Sequence, residues 1–182
     1  MNSVEPIRDS VIVEDITGYL KQRNLRDFIM FLLGIYTGLR ISDILKLRVR
    51  DVRNKDYISI REKKTRKEKK FEIHPILKRE LAEYTRNKEP DEYLVKSREG
   101  VNRPIRRERA YQILQALAVI YNLESVGTHT LRKTFGYHFY QQYKDVATLQ
   151  RIFNHSHPSL TLRYIGIEQE GINKAIKGFR IY

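Results

Sequence analysis

The segment from Leu25 to Thr37 carries Phe28, Ile29, Phe31, Leu32, Leu33, Ile35 and Tyr36, which together go most of the way round a helix. A helix that is apolar on nearly every side has to be buried, so this one is expected at the centre of the core with other elements packed around it. Asn24 marks a break from a shorter helix, Val13 to Arg23, whose Ile16, Tyr19 and Leu20 share one side around an interior Gly18. Gly38 is a C-terminal stop. Arg40 follows directly, so the buried helix should hold it rigidly. Ser42 is placed as the cap of the next helix, running to about Leu47.

Downstream, Tyr57-Ile58-Ser59-Ile60 and Phe71-Glu72-Ile73-His74 alternate and are rich in β-formers, which predicts a hairpin. The piece between, Arg61 to Lys70, carries seven basic and two acidic residues. Pro75 opens a helix to about Asn87. Asp91 to Val95 is a short apolar piece and Ser97 to Pro104 a loop. Ile105 to Tyr121 reads as a helix with Tyr111, Leu114, Ala118 and Tyr121 as its stripe. Thr130 to Tyr143 follows with Leu131, Phe135 and Phe139 four apart, then Asp145 to Phe153 with Val146, Leu149 and Ile152. Pro158 starts a further helix towards Tyr164, and a last one runs from about Glu168 to Lys177, ended by Gly178 and the apolar-rich tail Phe179 to Tyr182. The expected fold class is mainly α with one small antiparallel β-sheet, a hairpin. Residues 1–12 are expected to be a leader and residues 13–182 a single domain.

The chain has 35 Lys and Arg against 22 Asp and Glu, a formal net charge of +13. Such an excess suits a polyanion, most often nucleic acid; a solubility surface or ribosomal-type RNA binding is the other explanation. There is no cysteine, which excludes disulfides and thiolate metal sites and is compatible with a reducing cytoplasm. No apolar run is long enough for a transmembrane helix, and Met1 to Ser10 lacks the apolar core of a signal peptide.

Five residues make a set suited to gripping and attacking a phosphodiester. Tyr164 stands nine residues after His155 with Pro158 between, and His129 precedes Arg132 by one helical turn. Arg40 and Arg132 offer planar forks that match two phosphate oxygens and stay charged. Asp43, three residues on from Arg40, is placed to hold its guanidinium from behind. Tyr164 is the candidate nucleophile, although its phenol, with a pKa near ~10, needs a base or cations at neutral pH. The imidazoles of His129 and His155 can accept its proton or bond a phosphate. His74 and His138 are read as structural. His157, two residues from His155, has no cysteine or acidic partner nearby, so no metal site is expected.

Taken in order, the segments Thr37–Asp43, His129–Thr134 and Asn154–Tyr164 resemble the signature boxes of the tyrosine recombinases, the phage integrase and Xer-like group. The resemblance runs from about Val13 to Tyr164. It implies a catalytic domain that cuts and rejoins double-stranded DNA through a 3′-phosphotyrosyl bond on Tyr164, with no metal and no other cofactor. It further implies a homotetramer on DNA, no membrane, and a cytoplasmic, nucleoid-associated protein of bacterial, phage or mobile-element origin. It makes His129 the base and His155 a phosphate ligand. It also calls for a hairpin lysine that protonates the leaving 5′-oxygen; Lys64, just before Thr65, matches that pattern best, with Lys67 the alternative. Lys63, Arg66, Lys67, Lys69 and Lys70 in the hairpin, with Arg103, Arg106, Arg107 and Arg109, are the expected phosphate contacts.

The sequence departs from the family at Asn154, where Gly is usual. Asn tolerates left-handed backbone, so the turn should be kept. The N-terminal helical domain of full-length members is expected to be absent, and an excised domain and a naturally short member both stay open. Rival functions are a nicking-closing activity like that of type IB topoisomerases and a DNA-binding module that no longer cuts. A basic RNA-binding domain predicts aromatic stacking motifs on a sheet, and none is found.

Overall fold

The computed structural model describes residues 4–61 and 68–181. Helix α1 (Ser10–Arg23) leads into α2 (Leu25–Thr37) across Asn24, whose side chain accepts hydrogen bonds from the Arg26 and Asp27 N–H groups and so caps α2. As its composition requires, α2 is the buried axis of the fold: Phe28 to Leu33 are all within a few per cent of full burial, and α1, α4 (Pro75–Thr85) and α6 (Thr130–Tyr143) pack around it. It ends at Gly38 in the left-handed region (φ 63°), where a Cβ would come within 2.5 Å of the Phe135 ring. The single turn α3 (Ile41–Ile44) starts with Arg40 as its N-cap. Ser42 is therefore inside this turn and does not cap it; burying Ile41 and Ile44 sets the start two residues earlier than the hydroxyl suggested.

The hairpin pairs β1 (Tyr57–Arg61) with β2 (Glu68–Glu72), Tyr57 opposite Glu72 and Arg61 opposite Glu68. The second strand was expected to reach His74. It stops earlier because Pro75 needs a capped entry: His74 accepts the Ile76 N–H and stacks on Tyr36, at 4.6 Å between ring centroids. Residues 62–67, and with them Lys63, Lys64, Arg66 and Lys67, lie outside the described residues.

Helix α5 (Arg107–Ile120) buries Ala110, Ile113, Leu114, Leu117 and Ala118. The expected stripe was off by one position at Tyr111, which is 46% exposed because the i, i+4, i+7 face passes through Ala110, Leu114 and Leu117. The last three helices, α7 (Val146–Phe153), α8 (Pro158–Tyr164) and α9 (Ile167–Gly178), follow α6. A second, smaller core of Leu149, Phe153 and Ile165 packs against Phe135 and Phe139. α9 buries no residue, and Ile172, Ile176, Phe179 and Ile181 along it and after it are exposed.

The stretch expected as a leader, residues 1–12, is part of the domain where it is described. α1 begins at Ser10, Ile7 is in the main core, and its N–H donates to Thr134 Oγ1 at 2.9 Å. Charges at Glu5 and Arg8 hid the buried isoleucine between them. Arg8 pairs with Glu5 at 2.7 Å and reaches Glu170 on α9 at 4.0 Å.

Gly38→Ala combines a left-handed backbone, costing about 1–2 kcal/mol for an L-residue, with overpacking against Phe135, costing about 1–3 kcal/mol. The urea midpoint should drop accordingly, whereas Gly18→Ala, which meets nothing within 4 Å inside α1, should leave it level or raise it slightly.

Candidate active site

Arg132 is the centre of the site. It is 4% exposed, on the first turn of α6, where Nη1 donates to the Gly38 carbonyl (2.5 Å) and Nη2 to the Phe153 carbonyl (3.0 Å). Its guanidinium also lies over the Phe153 ring, 4.3 Å from the centroid. Burial pulls its pKa down to about 10, which leaves it charged at neutral pH. Arg40 is exposed at the start of α3, and the two arginines line one cleft of about 390 Å³ with Asp43, Lys69 and Asn154. Asp43 makes no ion pair with Arg40 among the described residues; its charge helps keep Arg132 protonated instead. In the backbone of the turn, the Asp43 N–H donates to the Arg40 carbonyl at 2.8 Å.

Tyr164 ends α8 and is half-buried. Its oxygen is 3.1 Å from His129 Nδ1, the two rings meeting edge to face. His155 packs against the same ring at 5.2 Å between centroids, and its Nδ1 is 3.0 Å from the hydroxyl of the buried Thr161. Burial pushes the Tyr164 phenol up from its ordinary value, while Arg132 and then Arg40 pull it down by charge. Both imidazoles move the other way. Burial first, then Arg107, Arg132, Arg40 and Lys133, lower His129; burial, Arg132 and Arg40 lower His155. In the His129–Tyr164 contact, the tautomer of the imidazole sets which group donates.

The backbone here follows local chemistry. Asn154 sits left-handed (φ 55°, ψ 47°) and closes α7, as expected where the family has Gly. His157 caps α8 by accepting the Ser159 N–H, and His138 bonds the Ile7 carbonyl at 2.9 Å. Gly136 lets α7 and α8 close on α6, since a Cβ there would meet Ile165 and Phe153 at 2.7 Å.

Among the expected phosphate contacts, Arg103, Arg106, Arg107 and Arg109 are exposed at and before the start of α5. Arg107 also donates to Thr128 Oγ1 at 3.2 Å, next to His129, so its charge reaches the site. Lys70 lies over the Tyr57 ring at 5.0 Å. Lys69 turns towards the protein: its ammonium donates to the Arg151 carbonyl and to that of Ile152 at 2.7 Å, where the C-terminus of α7 attracts a cation. Lys133, next to Arg132 on α6, is also buried, and burial of a lysine leaves no signal in sequence.

A buried arginine and an exposed one lining a cleft, with a phenol held between two imidazoles and within reach of both arginines' charge, fit the class of enzymes that move phosphodiesters through a tyrosine. The phage integrase family model matches residues 10–170. The probable integrase/recombinase YoeC of Bacillus subtilis strain 168 is 50% identical over 179 residues, covering 98% of each chain. In fold, the chain is similar to crystallised XerA recombinase (TM-score 0.75, 18% identity, 98% of this chain and 67% of that one). It is also similar to XerH site-specific recombinase bound to a palindromic difH substrate (TM-score 0.71, 16% identity, 98% and 54%). The chain belongs to the phage integrase family and is a site-specific tyrosine recombinase.

The lowered imidazoles have a measurable sign. A histidine whose folded pKa lies below its unfolded value near ~6.5 contributes stability above that pH and loses it as pH falls towards the folded value. NMR titration of His129 and His155 should give midpoints below about 6.5, and the melting temperature should decline from neutral to mildly acidic pH. Midpoints above the ordinary value would mean that neither burial nor the arginines govern these rings.

Proposed function

We propose that this chain cuts and rejoins double-stranded DNA at a specific site, with Tyr164 as nucleophile. The observation that carries this is the His129–Tyr164 contact of 3.1 Å beside Arg132 and Arg40. The Tyr164 oxygen attacks phosphorus as His129 takes its proton. Arg40, Arg132 and His155 hold the non-bridging oxygens, where charge grows in the transition state. The bond from phosphorus to the 5′-oxygen breaks, and that oxygen takes a proton from the hairpin lysine, assigned to Lys64 with Lys67 as the alternative. The 3′-phosphotyrosyl bond keeps the energy of the broken diester, so a 5′-hydroxyl from another strand can attack it and release Tyr164.

The difH duplex on XerH supports DNA as the partner. The charge of +13 and the exposed Arg103, Arg106, Arg107 and Arg109 support phosphate contacts. Assembly as a homotetramer on DNA suits the uncovered apolar side of α9 and its tail, Ile172, Ile176, Phe179 and Ile181. The setting is cytoplasmic and nucleoid-associated, of bacterial, phage or mobile-element origin; no helix among the described residues is long and apolar enough to cross a membrane.

The test is covalent capture from a pool of nicked duplexes of randomised sequence, read as a protein–DNA adduct on denaturing gels. Tyr164→Phe should bind the captured DNA and form no adduct; an adduct from this variant would move the nucleophile elsewhere. Arg40→Ala and Arg132→Ala should slow adduct formation by about 10²–10³-fold with far smaller changes in binding. A 5′-bridging phosphorothioate, whose leaving sulfur needs no proton, should rescue Lys64→Ala and leave Arg40→Ala slow.

A further inference from the structure

Lys133 is the residue after Arg132 on α6, and it is only 8% exposed. Its ammonium nitrogen lies 5.0 Å from the centroid of the Tyr164 ring, inside the ~6 Å over which a cation is drawn to an aromatic face. The start of α6 therefore addresses one phenol three times. His129, at the N-cap, contacts the oxygen; Arg132 acts on the same oxygen by charge; and Lys133 meets the ring.

We propose that Lys133 is a positioning residue for Tyr164, its buried ammonium fixing the ring and favouring the phenolate over the phenol. This rests on Tyr164 as nucleophile. Phenolate charge spreads from the oxygen into the ring, so a cation beside the ring gains more from the ionised form than from the neutral one. That effect is largest where water is excluded. Among the described residues, the other titratable groups facing Tyr164 are His129, His155, Arg132 and Arg40. Arg132 and Arg40 act in the same direction as Lys133, against the burial that raises the phenol. Burial and Arg8 work against the charge on Lys133 itself, and the Glu5 carboxylate works for it. Glu5 is held near by its N–H bond to the Ser125 carbonyl, at 2.9 Å. The N-terminal stretch thereby helps keep a cation under the nucleophile.

The experiment places 3-fluorotyrosine at position 164 of the full chain and follows its fluorine resonance through a pH titration, without DNA. Lys133→Met, nearly isosteric and uncharged, should raise the midpoint by about one unit, a tenfold fall in ionisation. Lys133→Arg, which keeps a cation there, should leave the midpoint near its original place. Lys133→Gln repeats the neutral arm should the Met variant not fold. An unmoved midpoint in the neutral variants overturns the proposal, and so does an equal shift in Lys133→Arg. A second arm follows adduct formation against pH on 5′-bridging phosphorothioate duplexes from the same randomised pool. Lys133→Met should be about tenfold slower near neutrality and recover at alkaline pH. A loss that is uniform across pH marks a packing role only and overturns the proposal. An adduct from Tyr164→Phe would sink the nucleophile assignment separately, with the fluorine titration still deciding whether Lys133 governs the ring.

Discussion

A cation buried as deeply as Arg132 is costly unless its N–H groups find acceptors. Here the acceptors are the carbonyl that ends α2, at Gly38, and the carbonyl that ends α7, at Phe153. Both are helix C-terminal groups without helical partners, so the arginine and the helix ends relieve one another. The consequence is spatial. Arg40 follows Gly38 by two residues and His155 follows Phe153 by two, so the bonds that satisfy Arg132 also set where these two side chains start. Removing the guanidinium would leave two carbonyls unpaired as well as taking a charge from the cleft.

Lys69 repeats the arrangement from the other side. Its ammonium takes the Arg151 and Ile152 carbonyls, so the last turn of α7 meets Lys69 from the hairpin and Arg132 from α6. The start of β2 is thus tied to the segment that presents Asn154 and His155.

The electrostatics of the site hold a tension. Positive charges crowd it, and with burial as the larger cause they lower His129 and His155, while Arg132 stays charged at neutral pH. The charges of Arg132 and Arg40 oppose the burial that raises the Tyr164 phenol. A site this basic is unfavourable to itself and favourable to a phosphate, whose charge is the natural counterpart of Arg40 and Arg132.

Much of this was legible beforehand. The all-round apolar character of Leu25 to Thr37 determined a buried central helix, because no exposed helix tolerates that composition, and α2 runs over those residues. Asn154 determined a left-handed turn, because few other residues accept that backbone. The spacing of His155, Pro158 and Tyr164 determined two helices meeting at a corner. What only the tertiary structure decided are contacts between segments far apart in the chain. The Ser42 hydroxyl looked like a cap until the burial of Ile41 and Ile44 set the turn. Ile7 joined the core although Glu5 and Arg8 flank it. Asp43, beside Arg40 in sequence, serves Arg132 in space. Lys69 met a helix end and Lys133 a ring. Local pattern reports the backbone preference of a residue and the face it shares with near neighbours. The partner of a buried charge is chosen by which helix ends and rings packing brings within reach, and that is settled only when the chain has closed around α2.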